Sequence, residues 1–164
     1  MPPPVSLAQP PPMQTRTRTV VVSSLARDVA KYPSPAYYVV PLEDTIRDVV
    51  SVELVYALYD RVNADRFVSL VLREAASTDV VSNCQTASHA FTQLPMTHAV
   101  NEYTPQRSYR SICTFTGGPL AKLDRLTIAF AGQDGRAYPM RDHLLRFELI
   151  TFSHRDGFPR QQAA

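Results

Sequence analysis

Tryptophan is absent from the 164-residue chain, glycine occurs only 5 times and cysteine twice. So little glycine excludes a collagen-like fibre, and two cysteines exclude a disulfide-stapled miniprotein. Neither staple is needed, because a chain of this length buries roughly two thirds of its unfolded surface. Charged residues make up 20%, below the ~25% of an average globular domain, which excludes a disordered polyelectrolyte. No run approaches the ~18 apolar residues of a membrane-spanning helix. The first residues lack a basic region followed by an apolar stretch, so no secretory signal is expected. Cys84 and Cys113 form one bridge or stay as thiols in a reducing compartment, and the second reading is adopted. With 17 basic and 15 acidic residues the formal charge is +2, which gives no global attraction to nucleic acid. All the basic residues except Lys31 and Lys122 are arginine, a choice suited to fixed multidentate contacts with other proteins and equally to a GC-rich genome.

Proline, by contrast, is abundant and gathers at the front as Pro2, Pro3, Pro4, Pro10, Pro11 and Pro12. Such a segment cannot pair its backbone and favours extended polyproline conformations. Residues 1–16 therefore read as an extended proline-rich arm, or as a frayed tail. As an arm it lies on a neighbouring subunit, with Val5, Leu7 and Met13 as its apolar contacts. Residues 154–164, with Gly157 and Pro159, read as a C-terminal tail.

Between them the dominant period is two. Thr17 to Ser23 and Ala36 to Val40 are β-branched or aromatic runs, the second closed by Pro41. In Val49 to Tyr59, Val50, Val52, Leu54, Tyr56 and Leu58 share one face. Arg66, Val68, Leu70 and Leu72 share a face after a turn at Asn63-Ala64-Asp65. Leu126, Ile128 and Phe130 alternate with polar neighbours up to a hairpin turn at Gly132-Gln133-Asp134-Gly135, and Leu145, Phe147 and Leu149 read as the return strand. Short strands are expected at Ala90 to Gln93 and Arg110 to Phe115, and a turn or two of helix at Leu42 to Val49. Some eight strands without crossover helices describe one all-β sandwich or barrel over residues 17–153.

The chemistry is sparse. His89, His98, His143 and His154 form no metal-ligand spacing, and the alternative of His89, His98 and His143 assembling with Cys84 is outweighed by surface or core histidines. Gly117-Gly118-Pro119 lacks the lysine and spacing of a phosphate cradle. Neither catalytic residues nor a cofactor are expected. A nucleic-acid-binding β-barrel is the alternative class, but Arg136, Arg141, Arg146, Arg155 and Arg160 are interleaved with Asp134, Asp142, Glu148 and Asp156. Apolar residues on both faces of several strands, together with tyrosine beside arginine, favour a protein that binds other proteins.

Several ordered segments point further: Val22-Ser23, Arg27-Asp28, Tyr32-Pro33, Tyr37 to Val40 and Val49-Val50-Ser51-Val52-Glu53-Leu54. Phe91-Thr92-Gln93-Leu94-Pro95, Leu123 to Ile128, Asp134-Gly135, His143 and Phe147-Glu148-Leu149 follow. This order resembles the minor capsid proteins of large icosahedral double-stranded DNA viruses (the nucleocytoplasmic large DNA virus group), and the resemblance covers about residues 17–153. Asp60-Arg61-Val62-Asn63-Ala64-Asp65 departs from the linker usual there, which bears on that loop's contacts more than on the fold. The resemblance implies a jelly-roll-like sandwich and a structural cement protein. It would lie in the virion under or between capsomers, with the major capsid protein, other minor capsid proteins and copies of itself as partners. A non-virion adaptor for one protein partner is the other alternative.

The expected interaction residues are the arm, Tyr37, Tyr38, Tyr109, Arg110, Arg141 and Arg155. Ser23, Arg27 and Asp28 are expected to fix the first loop through side-chain to backbone bonds and an ion pair. His143 is assigned a structural role. Asp124 beside Arg125 is expected to pair with a neighbouring strand or subunit. Glu53 and Glu148 either face solvent, the favoured reading, or pair with an arginine across an interface.

Overall fold

A single strand of 24 residues, β2 (Tyr37–Asp60), organises the molecule. The computed structural model describes residues 14–75, 89–107 and 110–153. Around β2 lie β1 (Gln14–Ser23), β3 (Phe67–Leu72), β4 (Thr92–Pro95), β5 (Val100–Tyr103), β6 (Ser111–Thr114), β7 (Leu120–Ala131) and β8 (Leu144–Ser153). They make one antiparallel sheet in the order β1-β8-β2-β7-β3-β4, with β5 and β6 also paired to β2. Two 3-10 turns, Ser24–Ala26 and Arg73–Ala75, complete the described residues, which contain no α-helix. The chain is thus all-β, its sheet curled into a half-barrel consistent with a β-sandwich or jelly-roll-like fold. β1 starts at Gln14, inside the stretch assigned to the arm. The arm's prolines, Val5, Leu7 and Met13, like the C-terminal tail, lie outside the described residues.

β2 pairs first with β7 and then with β8, and three irregularities let it serve both. Pro41 pairs with Arg125 and Ile46 with Leu123, so Leu42 to Thr45 stand opposite Asp124 alone. Proline lacks the N–H a continuous ladder needs, and it is tolerated here because the ladder breaks directly after it. The strand therefore does not close at Pro41, and Leu42 to Val49 is strand, not helix. Against β8, β2 is bulged between Val49 and Ser51 and again between Leu54 and Tyr56. An extra residue inverts the alternation. Val52 and Leu54 face the core before the second bulge, Ala57 and Tyr59 after it, and Leu58 is left 38% exposed. The single apolar face expected from Val50 to Leu58 is accordingly split.

Elsewhere period two reads correctly. Val68, Leu70 and Leu72 of β3, Leu126, Ile128 and Phe130 of β7, and Leu145, Phe147 and Leu149 of β8 are at most 2% exposed and share one core cluster. Burying such side chains contributes roughly 1.5–3 kcal/mol each. The far end of the sheet folds back over this cluster. Phe91, just before β4, meets Phe147 of β8 edge to face at 6.1 Å, Thr92 Oγ1 and Ser111 Oγ lie 2.6 Å apart, and the Tyr59 hydroxyl donates to the Pro95 carbonyl at 2.8 Å.

The turn after β7 forms, with Gly132 N–H donating to the Arg136 carbonyl at 2.8 Å. Gly135 sits at φ 81°, a conformation that glycine adopts without a Cβ penalty. Yet β8 is not its return strand, since it lies on the other side of β2. The ladder fails after one bridge, Ala131 to Ala137. Tyr138 and Met140 then bury on either side of Pro139. The Tyr138 hydroxyl accepts from Val62 N–H at 2.9 Å and Asn63 N–H at 3.4 Å, which ties the crossing segment to the 60–65 loop.

Candidate protein-interaction surface

The densest polar cluster joins the end of β1, the start of β2 and the entry to β8. Ser24, wholly buried, accepts from His143 N–H at 2.8 Å and donates to Asp142 Oδ1 at 3.1 Å. Arg27 Nη1 donates to the same carboxylate at 3.1 Å and to the Ser24 carbonyl at 2.7 Å. Its other donors reach the carbonyls of Tyr32 at 3.1 Å and Pro33 at 3.3 Å. His143 Nδ1 lies 2.9 Å from the Arg141 carbonyl, which can only accept. Nδ1 therefore carries the proton, and Nε2 accepts from the Tyr38 hydroxyl at 2.8 Å. Burial lowers the His143 pKa and raises that of Tyr38, so both are neutral near pH 7. Serine, aspartate and histidine meet here without the hydroxyl-to-imidazole bond of a nucleophilic triad. The arrangement is a structural lock.

Arg27, Asp28 and His143 do hold the first loop. Asp28 Oδ1 accepts from Lys31 N–H at 3.2 Å, but the ion pair of Arg27 runs to Asp142. The hydroxyl in the lock belongs to Ser24 and not to Ser23, whose side chain makes no cap hydrogen bond. Alternation turns Val22 and Ser24 inward and leaves Ser23 between them half-buried.

The other expected site residues separate. Tyr38 is fully buried and has no surface to offer a partner, whereas Tyr37 is 41% exposed. Tyr37 meets Tyr32 edge to face at 6.1 Å, with the Arg73 guanidinium 5.8 Å from its ring. Arg110 forks onto Glu53 through Nε and Nη2, so Glu53 is neither solvent-facing nor paired across an interface; its partner is in the same chain. Glu148 is half-buried and lies beside Glu53 in the β2–β8 register. Asp124 pairs with Lys122 on its own strand at 2.7 Å, and the hydrogen bond between them holds its carboxyl below the usual range. Arg125 lies 3.9 Å from Glu74. Glu74 is the clamp that sequence reasoning missed: its two oxygens accept from Thr127 N–H at 2.8 Å and Thr127 Oγ1 at 2.7 Å, joining the turn after β3 to β7. Arg141 is exposed and contributes its carbonyl to the lock. Tyr109, Arg155 and Cys84 lie outside the described residues, and Cys113 is buried on β6.

The outer face of the sheet sets aliphatic and aromatic side chains among charged ones. In one row Thr19, Glu148, Glu53 and Ile112 align across β1, β8, β2 and β6. In the next, Val21 and Tyr56 flank Arg146, whose guanidinium stacks 5.8 Å from the Tyr56 ring. In a third, Ser23, Leu144, Leu58 and Glu102 align across β1, β8, β2 and β5. Val21, Ile112 and Val100 are 55%, 42% and 60% exposed. Tyrosine and arginine beside exposed aliphatics, above a rigid sheet, match the composition of a protein interface. Among the described residues no group of three His, Cys, Asp or Glu side chains could hold a metal, and no helix is long and apolar enough to cross a membrane. Neither a family model nor a curated protein matches this chain.

Proposed function

We propose that this chain is a minor capsid, or cement, protein that bridges and stabilises major-capsid capsomers in the shell of a large double-stranded DNA virus. The observation that carries the protein-binding part is the outer sheet face, where Val21, Leu58, Val100 and Ile112 stand exposed beside the Glu53–Arg110 fork and the Arg146–Tyr56 stack. The viral part rests on the ordered segments from Val22 to Leu149 and on the all-β fold that accommodates them. On this reading the polar lock and the Glu53–Arg110 fork hold the sheet rigid, so that little ordering entropy opposes binding. Partners are the major capsid protein, other minor capsid proteins and copies of itself.

Protein mass spectrometry of purified particles tests the reading, with particles separated into an emptied, salt-washed shell and a released genome fraction. Recovery in the shell at many copies is the expected result. Recovery with the genome supports the nucleic-acid alternative, and absence from both supports a non-virion adaptor; either overturns the cement function.

A further inference from the structure

The sheet closes incompletely, and the opening has its own chemistry. β1 pairs with β8 along one edge, and among the described residues its other edge has no strand beside it. Facing it is the first half of β2, where Leu42 to Thr45 have lost their ladder to β7 and lie beyond the last β8 partner, Thr151 opposite Val49. A cleft of about 360 Å³ runs between them, lined by Arg18 to Val21 and by Val40 to Asp44. A second, of about 300 Å³, shares Arg18 and Ile46 with the first and adds Arg16, Arg47 and Asp48. Consecutive residues line the first cleft on both walls. Since consecutive side chains in a strand point to opposite faces, it runs along two strand edges and not over one face.

We infer that this seam takes an extended strand of a partner protein, added to the free edge of β1 and carrying carboxylates at one end. The backbone supplies the first reason: an unpaired edge presents a row of N–H and C=O groups that a peptide in strand conformation satisfies. Charge supplies the second. Arg16, Arg18 and Arg47 gather at one end of the seam, outnumbering the one carboxylate there, Asp48, and none is ion-paired among the described residues, whereas Arg27, Arg110, Arg125 and Arg136 each have a carboxylate. Asp44 and Glu43 come next along the β2 wall, and the half-buried Val20, Val40 and Leu42 line the far end. An incoming strand thus meets guanidinium groups, then carboxylates, then aliphatic side chains. That graded pattern fixes both identity and direction. A nucleic-acid strand, acidic along its whole length, is repelled midway by Glu43 and Asp44.

The inference rests on the protein-binding part of the function proposed above and not on a place in a shell. A peptide assay tests it separately from the particle fractionation. The probe is a fluorescein-labelled, amide-capped peptide of sequence Glu-Thr-Glu-Val-Thr-Val-Thr, titrated with the full chain and read by anisotropy. Four comparison probes share the assay: the same peptide with Lys for Glu, two versions of the peptide N-methylated at alternate residues along one edge or the other, and a single-stranded DNA of similar length. Saturable binding of the first peptide is expected, weakened about tenfold by the pair Arg16→Glu and Arg18→Glu, the first exposed and the second half-buried, at low salt and by N-methylation along one edge only. Circular dichroism melting of the double variant confirms that it folds. Absence of binding, equal binding of the Lys peptide, indifference to N-methylation, or tighter binding of the DNA each overturns the inference.

Discussion

Replacing Tyr38 by Phe deletes one oxygen from the centre of the lock and leaves the rest of a fully buried ring in place. His143 Nε2, which accepts that hydroxyl at 2.8 Å, then has no donor, because Nδ1 is committed to the Arg141 carbonyl. A buried acceptor left unsatisfied costs about 1–3 kcal/mol. The midpoint of that range, about 2 kcal/mol, lowers the melting temperature of a domain this size by roughly 4–8 °C. The neighbouring residue supplies the control. Tyr37 is 41% exposed on the opposite face, and Tyr37→Phe should change stability by less than about 0.5 kcal/mol. Thermal melting by circular dichroism, with urea unfolding to separate stability from compactness, compares the two variants at pH 7.5. Equal losses in the two, or none in Tyr38→Phe, would refute the claim that the hydroxyl satisfies a buried imidazole.

Four further outcomes are expected. Burial lowers the His143 pKa, so below an imidazole's ordinary ~6.5 the unfolded chain binds a proton that the native state refuses. The stability from neutral His143 is therefore fully present above that pH and lost as pH falls below it; melting curves between pH 7.5 and 5.5 should show the loss, and His143→Gln should reduce its slope. Glu74→Ala removes both hydrogen bonds to Thr127 and should cost about 2 kcal/mol in urea unfolding, with Glu74→Gln costing less. Arg110→Ala strands the nearly buried Glu53 carboxylate and should lower the melting temperature, and adding Glu53→Leu should restore part of it, since removing both charges is gentler than removing one. Gly118→Ala, at φ 118°, should destabilise by about 1 kcal/mol, whereas Gly117→Ala, whose added Cβ meets nothing within 4 Å, should be near neutral; equal effects at the two would contradict the turn geometry.

Period two was legible wherever a strand carries no bulge of its own. β3, β7 and β8 bury the alternating residues that their sequences announce, because none of them inserts an extra residue of its own between Phe67 and Leu72, Leu126 and Phe130, or Leu145 and Leu149; the bulge opposite Arg146 and Phe147 lies on β2. β2 defeats the same reading for a physical reason. It exchanges β7 for β8 midway, and each exchange inserts residues that shift the phase. Val50 to Leu58 looks like one face in the sequence because a bulge leaves no mark there: the extra residues, Val50 and Val55, are ordinary valines and not glycines. Pro41 misleads in the opposite direction. Proline is a fair stop signal for a paired strand, and this one marks a place where pairing lapses while the strand continues.

The site was less legible than the fold, and the same bulged strand accounts for the difference. Tyr37 and Tyr38 are indistinguishable by composition, and only the pleat assigns one to solvent and the other to the core. Glu53 and Arg110 are 57 positions apart and meet because Glu53 pairs with Ile112 across β2 and β6, a register that no local pattern encodes. The seam is a product of the same topology. Arg16 and Arg18 lie in a run that reads as an ordinary β-branched strand, and Arg47 in one that reads as a helical turn. They converge because β2 continues past the end of β8 and overhangs the free edge of β1. A strand shortened to stop at Pro41 would remove one wall of the seam, so the length of β2 sets the length of the edge presented to a partner.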